Sequence, residues 1–203
     1  MAYLKHHFST SQNDLSGLGV TERQPILRTV NTPVELLEVR QLREDAYRAI
    51  YPSINVYRDS YDHSAIIFYS RDQDGKMQST ARLVVDGLHG LPEDPYFPQQ
   101  VTEYRRQGKR LMEFGRFVIQ QGNVRLLKSY YRTFYETAKQ QQTDIILIAL
   151  KPKDINFHQR VTGATLLSPD IGVSYGGRTP LACVAWNIER TCPRFFRWAG
   201  AER

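Results

Sequence analysis

The sequence predicts an α/β (α+β) fold: a single mixed, mostly antiparallel sheet flanked by helices, with a bulged and splayed central strand. Three observations predict it. Short runs of apolar and β-branched residues alternate with helical patterns in the order β-α-β-β-loop-β-α-β-α-β. The segment "TDIILIAL" (143–150) is apolar without interruption, as a strand covered on both faces must be. The segment "VRLLKSYYRTFYETAKQQQ" (124–142) gathers Leu127, Tyr130, Tyr131, Phe134 and Ala138 on one stripe, which needs a neighbouring layer to bury it.

Taken in order, residues 1–22 are polar and rich in Ser, Gly, Asn and Gln, and are expected to form a flexible N-terminal arm before a single domain over 23–203. The stretch "PILRTVN" (25–31) reads as a strand. Thr32 followed by Pro33 is a helix start, with a capping side chain before a proline at the first helical position; Pro52 ends that helix near Tyr51. Two strands, "SAIIFYS" (64–70) and "KMQSTARLVV" (76–85), flank the Asp-Gly turn "DQDG" (72–75) and form a hairpin. Residues 86–110 carry Pro92, Pro95 and Pro98 and read as loop. Then come the strand "LMEFGRFVI" (111–119), the helix 124–142, the strand 143–150, a short helix "DINFHQRVTG" (154–163) and a last strand "LACVAWNIE" (181–189).

A chain of 203 residues, 41% hydrophobic and 24% charged, is long enough and apolar enough to bury a core, which argues against general disorder. No apolar run approaches the roughly 20 residues that span a bilayer, and the N-terminus lacks an apolar signal core, so a cytoplasmic location is expected. Cys183 and Cys192 are expected as reduced thiols, and the histidines fall in no ligand spacing, so no metal is expected. The net charge of +6 is concentrated between Tyr104 and Gln140. There Arg105, Arg106, Lys109, Arg110, Arg116, Arg125, Lys128, Arg132 and Lys139 face only Glu113 and Glu136. Such a segment suits an acidic partner, whether nucleic acid, anionic lipid or an acidic protein.

Several charged residues stand where packing alone would not put them. Glu113 and Arg116 interrupt the apolar strand 111–119, although a buried charge is costly unless paired. Arg43 lies on the apolar stripe of the first helix with Leu36, Val39, Ala46, Tyr47 and Ile50. Arg82 lies late in an apolar strand, and Asp59 and Asp62 come just before the second strand. One shared network at one end of the sheet satisfies all six, and clustered ionisable groups in a cleft mark functional sites. Strict alternation would put Glu113 and Arg116 on opposite faces. Gly115 between them suggests a bulge, which shifts the parity, splays the strand and frees backbone N–H groups to hold an oxyanion.

These residues resemble a known family. The layout is similar to the Gcn5-related N-acetyltransferase fold, whose fourth strand is bulged and splays from the fifth to hold an acyl thioester. "FHQRVTGATLL" (157–167) is similar to the helix-to-strand segment late in that fold. The glycine-rich phosphate loop of the coenzyme A users is poorly matched by "QQGNVR" (120–125), which weighs against a coenzyme A donor. A closer resemblance is to the acyl-homoserine lactone autoinducer synthases and their relatives, the long-chain N-acyl amino acid synthases, including N-acyltyrosine synthases. It rests on Leu42-Arg43 with Tyr47, then Asp59-Ser60-Tyr61-Asp62, Ser79-Thr80-Ala81-Arg82-Leu83 and Glu113-Phe114-Gly115-Arg116-Phe117, over about residues 26–190. The Trp that autoinducer synthases carry after the first helix is missing from "YPSINVYRDSYD", and "LREDAYRAIYPS" and "ERTCPRFFRW" look more like the amino acid synthases.

The resemblance implies an N-acyltransferase that moves a long-chain acyl group from acyl carrier protein to the amine of an amino acid, with tyrosine or another aromatic favoured by Tyr47, Tyr51, Tyr57 and Tyr61. No cofactor is expected to be tightly bound; the carrier's phosphopantetheine bears the acyl group. Glu113 is the implied base, and Arg116 orients it or neighbouring carboxylates. Arg43, Asp59, Asp62, Arg82, Tyr47 and Phe117 form the polar, acceptor-binding end, where one of the arginines takes the acceptor carboxylate. Arg105, Arg106, Lys109, Arg110, Arg125, Lys128 and Arg132 would dock the acidic carrier. No membrane span is expected, though the product is lipophilic. Two alternatives remain: an acyl-homoserine lactone synthase using S-adenosylmethionine, and a basic nucleic-acid-binding module. The helix aromatics lie on the core stripe and do not interleave with its basic face, so no nucleic acid partner is expected.

Overall fold

The computed structural model describes residues 2–4, 25–48, 60–120, 123–168, 174–175 and 179–202. The main sheet runs in the order β2 (Arg28–Thr29), β3 (Ala65–Arg71), β4 (Met77–Val85), β5 (Leu111–Ile119), β6 (Ile145–Leu150), β10 (Ala182–Asn187), β7 (Thr165–Ser168). Its neighbours are antiparallel except β5 and β6, which are parallel. A separate two-stranded piece pairs β8 (Ser174–Tyr175) with β9 (Thr179–Pro180). The predicted mixed, mostly antiparallel sheet is therefore the observed one.

Helices cover both faces. On one side α1 (Pro33–Arg48) and α2 (Pro98–Arg106) bury Val39, Leu42, Tyr47 and Val101 against Leu111, Val118, Leu147 and Cys183. On the other, α3 (Val124–Gln140), α4 (Ile155–Thr162) and α5 (Pro193–Ala199) bury Tyr130, Phe134, Val161 and Phe195 against Met112, Phe114, Ile148 and Trp186. The start of α1 is a reciprocal capping box: Glu35 N–H donates to Thr32 Oγ1 (3.2 Å), and Glu35 Oε2 accepts from the backbone N–H of Asn31 (2.8 Å) and Thr32 (3.0 Å). Tyr69 on β3 donates its hydroxyl to Glu35 Oε1 and ties that end of α1 to the sheet.

The sequence reading did not include β7, the β8–β9 pair or α5, and two further elements differ from it. The segment 86–110 contains α2, opened by Pro98 at its first turn. Three prolines spaced three residues apart read as loop punctuation, yet proline is at home at the first helical position. Residues 2–4 of the presumed arm form β1, a parallel strand whose Ala2, Tyr3 and Leu4 pair with Phe117, Val118 and Ile119 of β5. The helix end between Tyr51 and Pro52 lies outside the described residues.

Candidate active site

The site is built around a change of partner along β5. Leu111, Met112 and Glu113 pair with Ile145, Ile146 and Leu147 of β6, and there the pairing stops. β6 continues alongside β10 to Leu150. Phe114, Gly115 and Arg116 therefore have no strand neighbour on the β6 side among the described residues, and β1 takes up that side only at Phe117. On the other side β4 and β5 slip: Thr80 pairs with Val118 but Arg82 with Gly115, two steps along one strand against three along the other. The extra residue is Arg116, at φ +51° in the left-handed region. The bulge expected at Gly115–Arg116 is present.

The bulge reorients the side chains. Phe114 and Phe117 pack against each other edge-on (centroids 5.3 Å apart) on the α3 face. Glu113 and Gly115 keep the other face, and Arg116 joins them near Arg43, whose guanidinium feels its charge. Gly115 makes room for its neighbour: a Cβ there would meet Glu113 Oε1, because the carboxylate folds back across the glycine. Tyr47 of α1 donates its hydroxyl to the Phe117 carbonyl at 3.4 Å and supports the bulge from below.

On the α1 face the ionisable groups meet. Arg43 Nη1 donates to both oxygens of Asp62 (2.8 and 3.0 Å), and Arg82 Nη1 donates to Asp62 Oδ1 (3.2 Å). Arg82 Nε lies 3.6 Å from Glu113 Oε2, and Arg40 Nε lies 3.8 Å from Asp62 Oδ2. Arg43 and Arg82 are fully buried, Glu113 is 2% exposed and Arg116 6%. Burial pulls Arg43 below its ordinary range, and Arg82 adds to that, against the counter-charge of Asp62. Arg43 Nε and Nη2 and Glu113 Oε2 have no hydrogen-bond partner among the described residues. Buried donors and acceptors left open in this way are rare in a finished core and are expected where a ligand completes them.

The structure thus brings Arg43, Asp62, Arg82, Glu113 and Arg116 together, as the sequence suggested. Asp59, Tyr51 and Tyr57 lie outside the described residues. Tyr61 donates its hydroxyl to the Leu91 carbonyl (3.3 Å) and has the Arg82 guanidinium over its ring (5.8 Å). Phe117 is a correction. It was expected at the polar end, but the bulge turns its ring into the aromatic layer on the α3 face, 5.0 Å from the Tyr130 ring.

The basic segment also needs correction. Arg105 is held in a fork: Nε and Nη2 donate to Asp86 (2.8 and 2.7 Å), while Nη1 and Nη2 donate to Asp94 (2.6 and 2.8 Å). Its charge is matched within the protein, by acids outside the counted segment, which removes it from the docking set. Arg106 pairs with Glu103 (3.1 Å) and Lys109 with Asp144 (3.5 Å), while Arg110 donates to Gln142 at the end of α3. These residues lie at the paired end of β5, where Leu111 meets Ile145. Arg125 and Lys128 lie at the start of α3, which follows the splayed end of β5. A helix of 17 residues spans about 25 Å, so the basic residues are strung out between the two ends of β5, with Arg132 midway along α3 and Lys139 in its last turn.

Sequence reasoning missed Glu93. It sits between Leu91 and Phe97 in the turn before α2 and is 1% exposed, and its Oε2 has no hydrogen-bond partner among the described residues. Burial, then the nearby Glu113, pushes its carboxyl well above the ordinary range.

Comparison with known proteins agrees with this geometry. The N-acyl amino acid synthase FeeM family matches residues 38–177. A search of curated protein sequences finds no match. Among solved structures, FeeM, an N-acyl amino acid synthase from uncultured soil microbes, superposes with a TM-score of 0.68 at 22% identity, over 81% of this chain and 91% of FeeM. The AHL synthase LasI gives 0.61 at 13% identity, over 88% and 98%. An N-acetyltransferase from Staphylococcus aureus Mu50 gives 0.54 at 9%, over 81% and 98%. At these identities the structures establish the shared fold. The family match spans more than half of the chain, including Arg43, Asp62, Arg82, Glu113 and Arg116, and on that ground the chain belongs to the FeeM family of N-acyl amino acid synthases, acyltransferases that make N-acyl amino acids.

Proposed function

We propose that the chain transfers a long-chain acyl group from the phosphopantetheine thioester of acyl carrier protein to the amine of a free amino acid, with tyrosine or another aromatic as acceptor. One observation carries the acceptor reading: Arg43 is fully buried with two guanidinium nitrogens left open, in a cluster where Arg43, Arg82 and Arg116 outnumber Asp62 and Glu113 among the described residues. A cationic excess with open donors suits the carboxylate of an amino acid, which an arginine takes in a bidentate pair.

The thioester is placed in the gap between β5 and β6, with its acyl chain on the apolar walls. The acceptor amine attacks the carbonyl, and its proton passes to Glu113, directly or through a water. Such assistance contributes roughly 10²–10⁴-fold. Backbone N–H groups of Phe114–Arg116, relieved of a strand partner on that side, are suited to stabilise the oxyanion. Direct transfer is favoured over a covalent enzyme intermediate, since Cys183 is fully buried on β10. No cofactor is held by the enzyme itself. The carrier is docked by Arg125, Lys128 and Arg132 on α3, with Arg106, Lys109 and Arg110 at the far end contributing only to long-range attraction. Acyl carrier protein and free amino acids meet in the cytoplasm, the compartment this reading implies.

The test is a competition. The protein is offered acyl carrier protein and coenzyme A thioesters of one chain length, with tyrosine, the other amino acids and S-adenosylmethionine together, and the products are identified by mass spectrometry. N-acyltyrosine formed from the carrier thioester supports the reading. A lactone with methylthioadenosine overturns the acceptor, and transfer from coenzyme A alone overturns the donor.

A further inference from the structure

The turn Leu91–Phe97 is set down on the sheet at the point where β5 and β6 part. Leu91 and Phe97 are buried in one cluster with Leu111 of β5, Leu147 and Ala149 of β6, and Cys183 of β10. Leu147 is the last β6 residue paired with β5, and Ala149 lies just past the split. Glu93 is carried by this turn. It feels Glu113 from the β5 side, and Cys183, across β6, feels Glu93. It is 1% exposed with Oε2 open among the described residues, and its turn is tied to the ionisable cluster: the Leu91 carbonyl accepts from Tyr61 (3.3 Å), whose ring underlies the Arg82 guanidinium. The turn is rigidly held. The Glu93 carbonyl accepts from Tyr96 N–H (3.0 Å) and Phe97 N–H (2.8 Å), and Asp94 Oδ2 accepts from Leu91 N–H (2.7 Å). Arg105 clamps Asp94 and Asp86 together and fixes the turn to α2. A buried carboxyl with an open oxygen, delivered to the thioester gap by a dedicated clamp, is more than packing requires.

We propose that Glu93 is the proton donor of the site: a neutral carboxylic acid that protonates the phosphopantetheine sulfur as the thioester breaks, opposite Glu113, which receives the proton of the amine. This rests on the acyl-transfer reading above. The balance closes within the pair. The C–N bond forms as the amine proton passes to Glu113, the C–S bond breaks, and the departing thiolate takes the Glu93 proton. A proton then returns from Glu113 to Glu93 and restores the starting state. Among the described residues, the charged and titratable groups that act on Glu93 or feel it are Glu113 on β5, Arg82 on β4 and Cys183 on β10. Burial, then Glu113, push the Glu93 carboxyl above its ordinary range, and Arg82 opposes them. Glu113 has the Arg82 guanidinium 3.6 Å away, while Glu93 Oε2 has no hydrogen-bond partner among the described residues, so the two carboxyls suit the two halves of one proton exchange.

The experiment compares wild type with Glu93→Gln, which keeps the shape and neutrality of the protonated acid but has no proton to give. Single-turnover transfer falls by at least tenfold in Glu93→Gln with KM for the donor unchanged, and the alkaline fall of the wild-type rate disappears. The carboxylic acid C=O band of the ligand-free protein, seen by infrared spectroscopy at pH 8, loses one component. Because a buried acid with a raised pKa destabilises the fold as pH rises, Glu93→Gln also melts higher than wild type at pH 8. A purely structural Glu93 would share the gain in Tm but leave rate and pH profile within twofold, and that result overturns the proposal. So does a wild type lacking the infrared component. If the donor is a coenzyme A thioester or the acceptor S-adenosylmethionine, the parent reading fails while the comparison stands, since the leaving thiol and the attacking amine are of the same kind.

Discussion

The two faces of the sheet bury polar groups in different ways. On the α3 face the polar atoms close among themselves. Ser70, Ser79 and Tyr130 form a hydroxyl chain (2.6 and 2.8 Å), Trp186 Nε1 donates to Thr191 Oγ1 (2.9 Å), and the Tyr131 hydroxyl lies 3.4 Å from the His158 ring nitrogens. The rest is aromatic, centred on Phe134 with Phe114 at 4.3 Å and Tyr130 at 5.7 Å. On the α1 face, guanidinium and carboxyl groups gather at the β5–β6 split, and Arg43, Glu93 and Glu113 retain open atoms among the described residues. Packing explains the first face completely and the second only in part. The part left over is what a substrate would supply, so stability and chemistry in this molecule lie on opposite sides of one sheet.

That division can be broken by mutation. The largest expected effect is on the α3 face: Phe134→Ala, at the centre of the aromatic layer, should cost about 3–5 kcal/mol of stability, while the rate per folded molecule stays close to wild type. Denaturant unfolding alongside single-turnover kinetics checks both halves. A change in rate comparable to the change in stability would mean the faces are not separable.

Titration sharpens the same contrast. Burial pulls His158 down to about 3, so its imidazole is neutral in the fold and must gain a proton only on unfolding. Its contribution is present above the unfolded value near 6.5 and is lost as pH falls below it, by about 1.4 kcal/mol per pH unit, or roughly 2 kcal/mol between pH 6.5 and 5. His158→Gln should flatten that acid slope without moving the pH profile of acyl transfer. A shifted rate profile would tie the α3 face to the chemistry.

A smaller effect, confined to the α1 face, is expected of Gly115→Ala. The new methyl meets the movable end of the Glu113 side chain and displaces the carboxylate from above the glycine. The rate should fall about tenfold, or ~1.4 kcal/mol in barrier, with little loss of Tm. A normal rate would show that the folded-back position of Glu113 is not the working one. The smallest effect is at the rim. Reversing Lys128 and Arg132 should raise KM for the carrier thioester a few-fold at low salt and less at high salt. Reversing Arg106 and Lys109, at the other end of the sheet, should do less. Equal effects would restore a single continuous docking patch.

How much was legible in the sequence follows from the same contrast. Arg43, Arg82, Glu113 and Arg116 were legible because each breaks an apolar pattern whose period is fixed by helix or strand geometry. The bulge was legible because glycine inside such a strand has few other reasons to be there. Glu93 was not, since a carboxylate in a proline-rich turn is ordinary turn chemistry and only the fold shows that the turn is buried. α2 was hidden by the same prolines. Arg105 was misread because its partners, Asp86 and Asp94, lie outside the run in which charges were counted. Charge along a chain predicts a surface only after the fold has cancelled what it can.

The most direct test of the division is Glu113→Gln, a near-isosteric change on the α1 face at the lip of the gap. Its far-UV spectrum and unfolding midpoint should match wild type to within a few degrees. Its single-turnover transfer from the acyl thioester should fall by roughly 10²–10⁴-fold. A variant that is equally stable and turns over at near the wild-type rate would contradict the account, because the α1 face would then hold its buried charges without using them.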